Sequence, residues 1–260
     1  MQVQDAGEPP SAAGGPESGV LYLVATPIGN LADVTLRALE ILGRVDRIAA
    51  EDTRHVRKLF ERHGIPAPVL EPYHARNEAS VAGRLAERLR RGESLALVTD
   101  AGTPGVSDPG YRLTRAALAV GARVVSIPGP SAVLAALVCS GLPTDRFVFE
   151  GFPPRRPGPR RRALARLAEL PHTLVFFEAP PRLRGFLGDV MAVLGDRPLA
   201  VGRELTKLHE EVWRGSVSAY LAVAAARPPR GEVTVVVGGR SRAEARAAGR
   251  APAKPAAAEN

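Results

Sequence analysis

Cysteine is nearly absent. The 260-residue chain has one, Cys139, which excludes an internal disulfide and a cysteine-based zinc site. Its apolar surroundings (132–138) predict inert core packing. Histidine is sparse as well. His55, His63, His74, His172 and His209 are scattered without the spacing of a metal pair, so each is read as structural or superficial. No apolar run approaches the roughly 18–20 residues that a membrane helix needs. Residues 1–19 have neither the positive nor the apolar region of a signal peptide. No Gly-x-Gly-x-x-Gly follows a strand and no Walker loop occurs, which removes the main support for dinucleotide and P-loop readings. A Gly-x-Ser-x-Gly elbow is missing too, and with it one hydrolase class. These absences fit a cytoplasmic protein.

What is present suits a globular enzyme. The apolar fraction is 45%, enough for a real core, and the formal net charge is +8, carried almost wholly by arginine. Such a balance suits an anionic partner such as nucleic acid. A GC-rich coding sequence would also raise arginine everywhere, so clustering matters more than the total. Residues 1–19 and 241–260 are rich in Gly, Pro and Ala and are expected to be disordered tails.

Between them, apolar runs and helical stretches alternate. Strands are predicted at 20–25, 47–50, 69–73, 95–98 and 123–127. Helices are predicted at 36–42, at 53–63 with Thr53 as cap and Gly64 as stop, at 80–91 capped by Ser80, and at 111–120. This alternation implies βαβ units and a parallel sheet. The second half has a different rhythm. Strands are expected at 147–150, 173–178, 199–203, 209–214 and 232–237, with helices at 160–169, 181–194 and 217–226. Several of these strands are too close for crossovers, so a mixed or antiparallel sheet follows. The expected fold is α/β: an N-terminal parallel αβα domain (20–128) and a C-terminal α+β domain (129–240).

Four polar loops end the N-terminal strands, at 26–31, 51–54, 100–110 and 128–131. Right-handed crossovers place them on one sheet edge, where ligands of open α/β sheets bind. The longest carries Asp100, Gly102, Thr103, Pro104, Ser107 and Asp108. Long loops of this kind usually serve function.

The blocks Ala25-Thr26-Pro27-Ile28-Gly29-Asn30-Leu31, Ala50-Glu51-Asp52-Thr53-Arg54, Thr99-Asp100-Ala101-Gly102-Thr103-Pro104, Ser107-Asp108-Pro109-Gly110 and Pro128-Gly129-Pro130-Ser131 resemble those of the tetrapyrrole methylases, class III S-adenosylmethionine-dependent methyltransferases. With Gly141–Phe147, Glu150-Gly151-Phe152, Phe176-Phe177-Glu178, Arg203–Lys207 and Gly231-Glu232, they are similar to the branch that methylates rRNA. Two departures stand out. Arg76-Asn77-Glu78 occupies a His-Asn-Glu position, and Phe176-Phe177 stands where Phe-Tyr is common.

The resemblance implies 2′-O-methylation of a cytidine ribose in the decoding (P-site) region of 16S rRNA, with the small ribosomal subunit as partner and a homodimer as the usual state. The competing implication is a small-molecule, porphyrin-like substrate. It also implies S-adenosylmethionine bound between the domains by Pro27, Asp100, Gly102, Thr103, Pro104, Val106, Ser107, Ser131, Ala132, Phe177, Leu205 and Glu232. For catalysis the candidates are Glu51, Asp52 and Glu78 as base, with Arg54 positioning substrate. The 51–53 acids are equally suited to capping a helix. Arg155, Arg156, Arg160, Arg161, Arg162 and Arg166 put six arginines in twelve positions, a density suited to RNA phosphates.

Overall fold

The computed structural model describes residues 19–66, 68–226 and 229–241. Most of the two expected tails therefore lies outside the described residues. The chain forms two compact units. Unit 1 comprises the chain through Pro27 together with Leu31–Pro130; unit 2 comprises Ile28–Asn30 and the chain from Ser131.

Unit 1 is a five-stranded, fully parallel sheet: β1 (Val20–Val24), β2 (Arg47–Ala50), β3 (Val69–Pro72), β4 (Leu95–Val98) and β5 (Arg123–Ile127), in the order β3-β2-β4-β1-β5. Helices α1 (Leu36–Arg44), α2 (Thr53–His63), α3 (Glu78–Arg90) and α4 (Tyr111–Ala119) make the crossovers. A parallel sheet is covered on both faces, so its central strands are largely apolar. All four residues of β4 are fully buried. Ala38, Leu42, Val56 and Phe60 of α1 and α2 pack with Ile48, Ala96 and Val98 on one face. Leu85 and Leu89 of α3 and Leu113 of α4 pack with Leu21, Leu95 and Leu97 on the other.

The caps correct the sequence reading in two places. Asp52, not Thr53, is the N-cap of α2, its carboxylate accepting from Arg54 N. Ser80 lies inside α3, which begins at Glu78, and its hydroxyl donates to the Asn77 carbonyl. Gly64 does stop α2, in the left-handed conformation (φ 63°) that glycine adopts without penalty.

Unit 2 holds a mixed sheet of β6 (Phe147–Gly151), β7 (Thr173–Glu178), β8 (Pro198–Arg203), β9 (Glu211–Ser216) and β10 (Val233–Val237), in the order β6-β7-β10-β8-β9. The pair β6–β7 is parallel and the other pairs are antiparallel. One face packs on α6 (Pro157–Leu167), α7 (Pro180–Leu194) and α8 (Val217–Ala226). The opposite face packs on α5 (Ala132–Cys139) and Leu205. Cys139 is exposed at the end of α5, contrary to the expected core packing. That helix is apolar on all sides, so composition could not tell its covered face from its bare one.

A buried ion pair joins α6 to α7. Arg160 Nε donates to Asp189 Oδ2 at 2.7 Å, and its Nη2 donates to the Gly185 carbonyl at 3.2 Å. Arg161 reaches the other oxygen of the same carboxylate. Removing one partner leaves an uncompensated buried charge. Asp189→Ala is expected to lower unfolding free energy by about 3–5 kcal/mol, read from urea denaturation; a loss below ~1 kcal/mol would show that Arg160 finds water instead.

Candidate active site

The sheet of unit 1 reverses its winding at β4. β1 and β2, its two neighbours, lead into helices on one face, while β4 leads into α4 on the other. Such a point is where an open α/β sheet leaves room for a ligand. The four loops predicted to share this edge meet here. Thr26 and Gly102 form a bridge, N to O in both directions at 2.9 and 3.0 Å. Asp52 N donates to Asp100 Oδ1 at 3.0 Å. Gly129 sits against Ala25, 3.1 Å from where a Cβ would fall.

The acids behave differently from one another. Asp52 is gripped by Arg54, whose Nε lies 3.0 Å from both carboxylate oxygens. That guanidinium holds Asp52 well below the usual carboxylate range. Glu51, one residue earlier, is shifted upward, first by burial and then by the Asp100 carboxylate. Asp108 is pushed up to about 6, by burial first and then by the Glu51 charge. Ser107, beside it, holds a left-handed φ of 63°, a costly conformation for a side-chain-bearing residue. His55 Nδ1 lies 3.2 Å from Asp100 Oδ1. Glu78 heads α3, where Arg112 Nε binds one carboxylate oxygen at 3.2 Å and the Tyr73 hydroxyl lies 3.5 Å from the other. Burial and that carboxylate push Tyr73 up to about 12.

The other candidates lie as follows. Pro27 and Pro104 are buried, Thr103 is half-buried, and Val106 and Ser107 are exposed. In unit 2, Ser131 is the N-cap of α5 and Ala132 its first residue, the Ser131 hydroxyl accepting from Leu134 N. Phe177 is half-buried, with its ring centroid 5.0 Å from Phe149 and 5.5 Å from Phe152. Leu205 is buried over Gly202, between Glu204 (φ 49°) and Thr206 (φ 68°). Glu232 lies 3.2 Å from Lys207 Nζ, which also reaches Glu204 at 3.0 Å. Among the six arginines, Arg160 must be withdrawn as a phosphate contact, because its guanidinium is buried on Asp189. No group of His, Cys, Asp or Glu among the described residues is placed to hold a metal ion.

A family model for Tetrapyrrole (Corrin/Porphyrin) Methylases matches residues 20–220. The chain belongs to the tetrapyrrole methylase family. Relatives named Ribosomal RNA small subunit methyltransferase I match most of the chain. That of Mesorhizobium japonicum is 52% identical over 86% of this chain and 76% of its own. That of Synechocystis is 48% identical over 85% and 79%. That of Thermotoga maritima is 43% identical over 85% and 99%. Solved structures of the same fold include uroporphyrin-III C-methyltransferase from Thermus thermophilus complexed with S-adenyl homocysteine (TM-score 0.59, 22% identity, 85% of this chain and 97% of that one). The cobalt precorrin-4 methyltransferase CbiF gives a TM-score of 0.62 at 18% identity, covering 84% of this chain and 94% of that one.

Within this tetrapyrrole methylase fold, one member of the acidic group is not legible in the sequence. Asp108 reads there only as a loop polar group, whereas His55 is exposed, in keeping with a superficial histidine. Asp108 carried no local signal, because its burial is set by distant packing. The desolvation of Asp108 works against folding once the group ionises. A carboxyl raised in the folded state loses stability as pH rises from its unfolded value near 4 toward 6. Asp108→Asn is therefore expected to raise the urea midpoint at pH 7.5 and to leave it nearly unchanged at pH 4. Equal shifts at both pH values would show that the carboxylate charge is not the cause.

Proposed function

We propose that the chain, as a cytoplasmic homodimer, transfers the methyl group of S-adenosylmethionine to the 2′-oxygen of a cytidine ribose in the decoding region of 16S rRNA. The relatives' name supports a small-subunit rRNA substrate. The observation that carries the chemistry is the Glu51–Asp100–Asp108 group at the winding reversal, with Arg54 beside it.

The donor set fits the methyl donor. A sulfonium and an ammonium are cations, and the acidic edge of unit 1 suits both. The N-terminus of α5, with Ser131 as cap, suits a carboxylate. By the family resemblance, Pro27, Asp100, Gly102, Thr103, Pro104, Val106, Ser107, Ser131, Ala132, Phe177, Leu205 and Glu232 would hold it. When bound, S-adenosylmethionine supplies a methyl carbon already activated by the sulfonium. The protein must then orient the hydroxyl and take its proton.

Glu51 is the residue suited to that proton. Burial has raised its basicity, whereas Asp52 is committed to Arg54 and Glu78 to Arg112. Arg54, largely exposed, would steer the substrate phosphate or ribose. A positioned base contributes roughly 10²–10⁴-fold. Arg155, Arg156, Arg162 and Arg166 would neutralise phosphates, with Arg161 shared between Asp189 and solvent.

The test is transfer of labelled methyl to small subunits lacking the modification, with the modified nucleotide mapped. Incorporation at a cytidine 2′-oxygen is expected, falling about 10²–10⁴-fold in Glu51→Gln with cofactor affinity retained. Label appearing only in a tetrapyrrole would overturn the substrate; an unimpaired variant would overturn the base. Separately, changing Arg155, Arg156 and Arg162 together to Gln is expected to reduce the slope of log binding constant against log salt by about 2. An unchanged slope would place the RNA elsewhere.

A further inference from the structure

At the outer edge of the second sheet, under α8, lies a cavity of about 420 Å³. Its volume is in the range of small-molecule sites, roughly 300–1,000 Å³. The β8–β9 register explains its floor. Arg203 pairs with Glu211 and Val201 with Trp213, which puts these four side chains on one face. Tyr220 and Val223 of α8 form a wall, and Arg230 lies at one end.

The aromatic part is rigidly seated. Trp213 lies across Gly215, where a Cβ would fall 2.5 Å from the ring. Its centroid is 4.9 Å from that of Tyr220, with the rings inclined at 69°. Any side chain at position 215 would lift the indole from the strand. The polar part is mixed. Arg203 Nη2 donates to Glu211 Oε2 at 3.1 Å, leaving a half-exposed carboxylate beside further guanidinium donors. Arg230 is exposed and makes no ion pair within 4.0 Å among the described residues.

An aromatic wall, a donor–acceptor edge and an arginine together match one nucleotide. The ring takes a base face, the Arg203–Glu211 pair takes its hydrogen-bonding edge, and Arg230 takes the phosphate. Two arginines argue against an ammonium ligand, and the charges argue against a purely apolar one.

We propose that this cavity is an RNA subsite which holds one unstacked nucleotide other than the one methylated. The inference rests on the reading of the chain as an rRNA methyltransferase and names a second point at which the RNA is gripped. It involves no bond making, only binding.

Trp213 is the single tryptophan of the chain, so its emission reports on this site alone. The full chain is titrated with hexacytidylate, with cytidine 5′-monophosphate and with inorganic phosphate. Saturable quenching by the two nucleotides, and none by phosphate, is expected. Val223→Phe fills the cavity and Arg230→Glu reverses its charge; both positions are exposed, so neither substitution disturbs the core. Each should weaken hexacytidylate binding about tenfold and raise KM for small subunits several-fold, with kcat unchanged. Emission unmoved by hexacytidylate, quenching by phosphate alone, or wild-type KM in both variants would overturn the subsite. Failure of the broader reading looks different: the wild-type chain then transfers no methyl to RNA at all.

Discussion

The chemistry of unit 1 depends on one constraint, the handedness of parallel crossovers. A right-handed βαβ unit must put its helix on one face when the chain moves one way across the sheet and on the other when it moves back. Here the chain moves outward from β1 through β2 to β3 and returns through β4 to β5. β4 therefore lies between two strands whose connections leave toward the opposite face. Its carboxyl end is the place where backbone diverges, and Asp100 is the first exposed residue after a strand with no exposure at all. The Thr26–Gly102 bridge and the Asp52–Asp100 hydrogen bond hold the diverging loops together across that gap.

The same packing that buries the strands tunes the acids at their ends. Glu51 and Asp52 are adjacent, yet their carboxyls shift in opposite directions. The difference is surroundings, not residue type. Glu51 is half-buried near the Asp100 and Asp108 carboxylates, and both penalise its charge. Asp52 is turned outward to the α2 amides and Arg54, which favour it. Separation of neighbouring carboxyls in this way is how one fold provides a fixed anion and a proton acceptor side by side. It also gives Asp52 a complete structural job, as cap of the helix that carries Arg54 and His55.

Most of this framework was legible in the residues. Apolar runs bounded by turn residues located the ten strands within about one or two residues; β4, buried on both faces, is apolar from end to end. Helix starts were less secure, since capping residues compete at close spacing. Asp52 displaced Thr53, Glu78 began α3 two residues before Ser80, and Pro157 opened α6 three residues before Arg160. Pro at a first helical turn is the signal that could have found the last of these. Exposure of Cys139 and burial of Asp108 were not legible. Each depends on which distant surface covers a short element, and neither has a periodic pattern to read.

Arg160 shows how far a charge cluster can be trusted. Six arginines in twelve positions suggest one phosphate-binding set, yet they are not equivalent. Arg160 shares its helical face with Leu164 and Leu167, at spacings of four and seven, and both leucines are buried. That periodicity is the signal that could have separated it from the exposed arginines. A buried guanidinium needs a carboxylate, and α7 provides Asp189 on its own buried face. The pair in turn draws Arg161 partly inward. A helix can thus carry a basic surface only with those cations that fall off its apolar period, as Arg162 and Arg166 do, while Arg155 and Arg156 are exposed just before its first turn. The number of phosphates this segment can neutralise is set by packing first and by composition second.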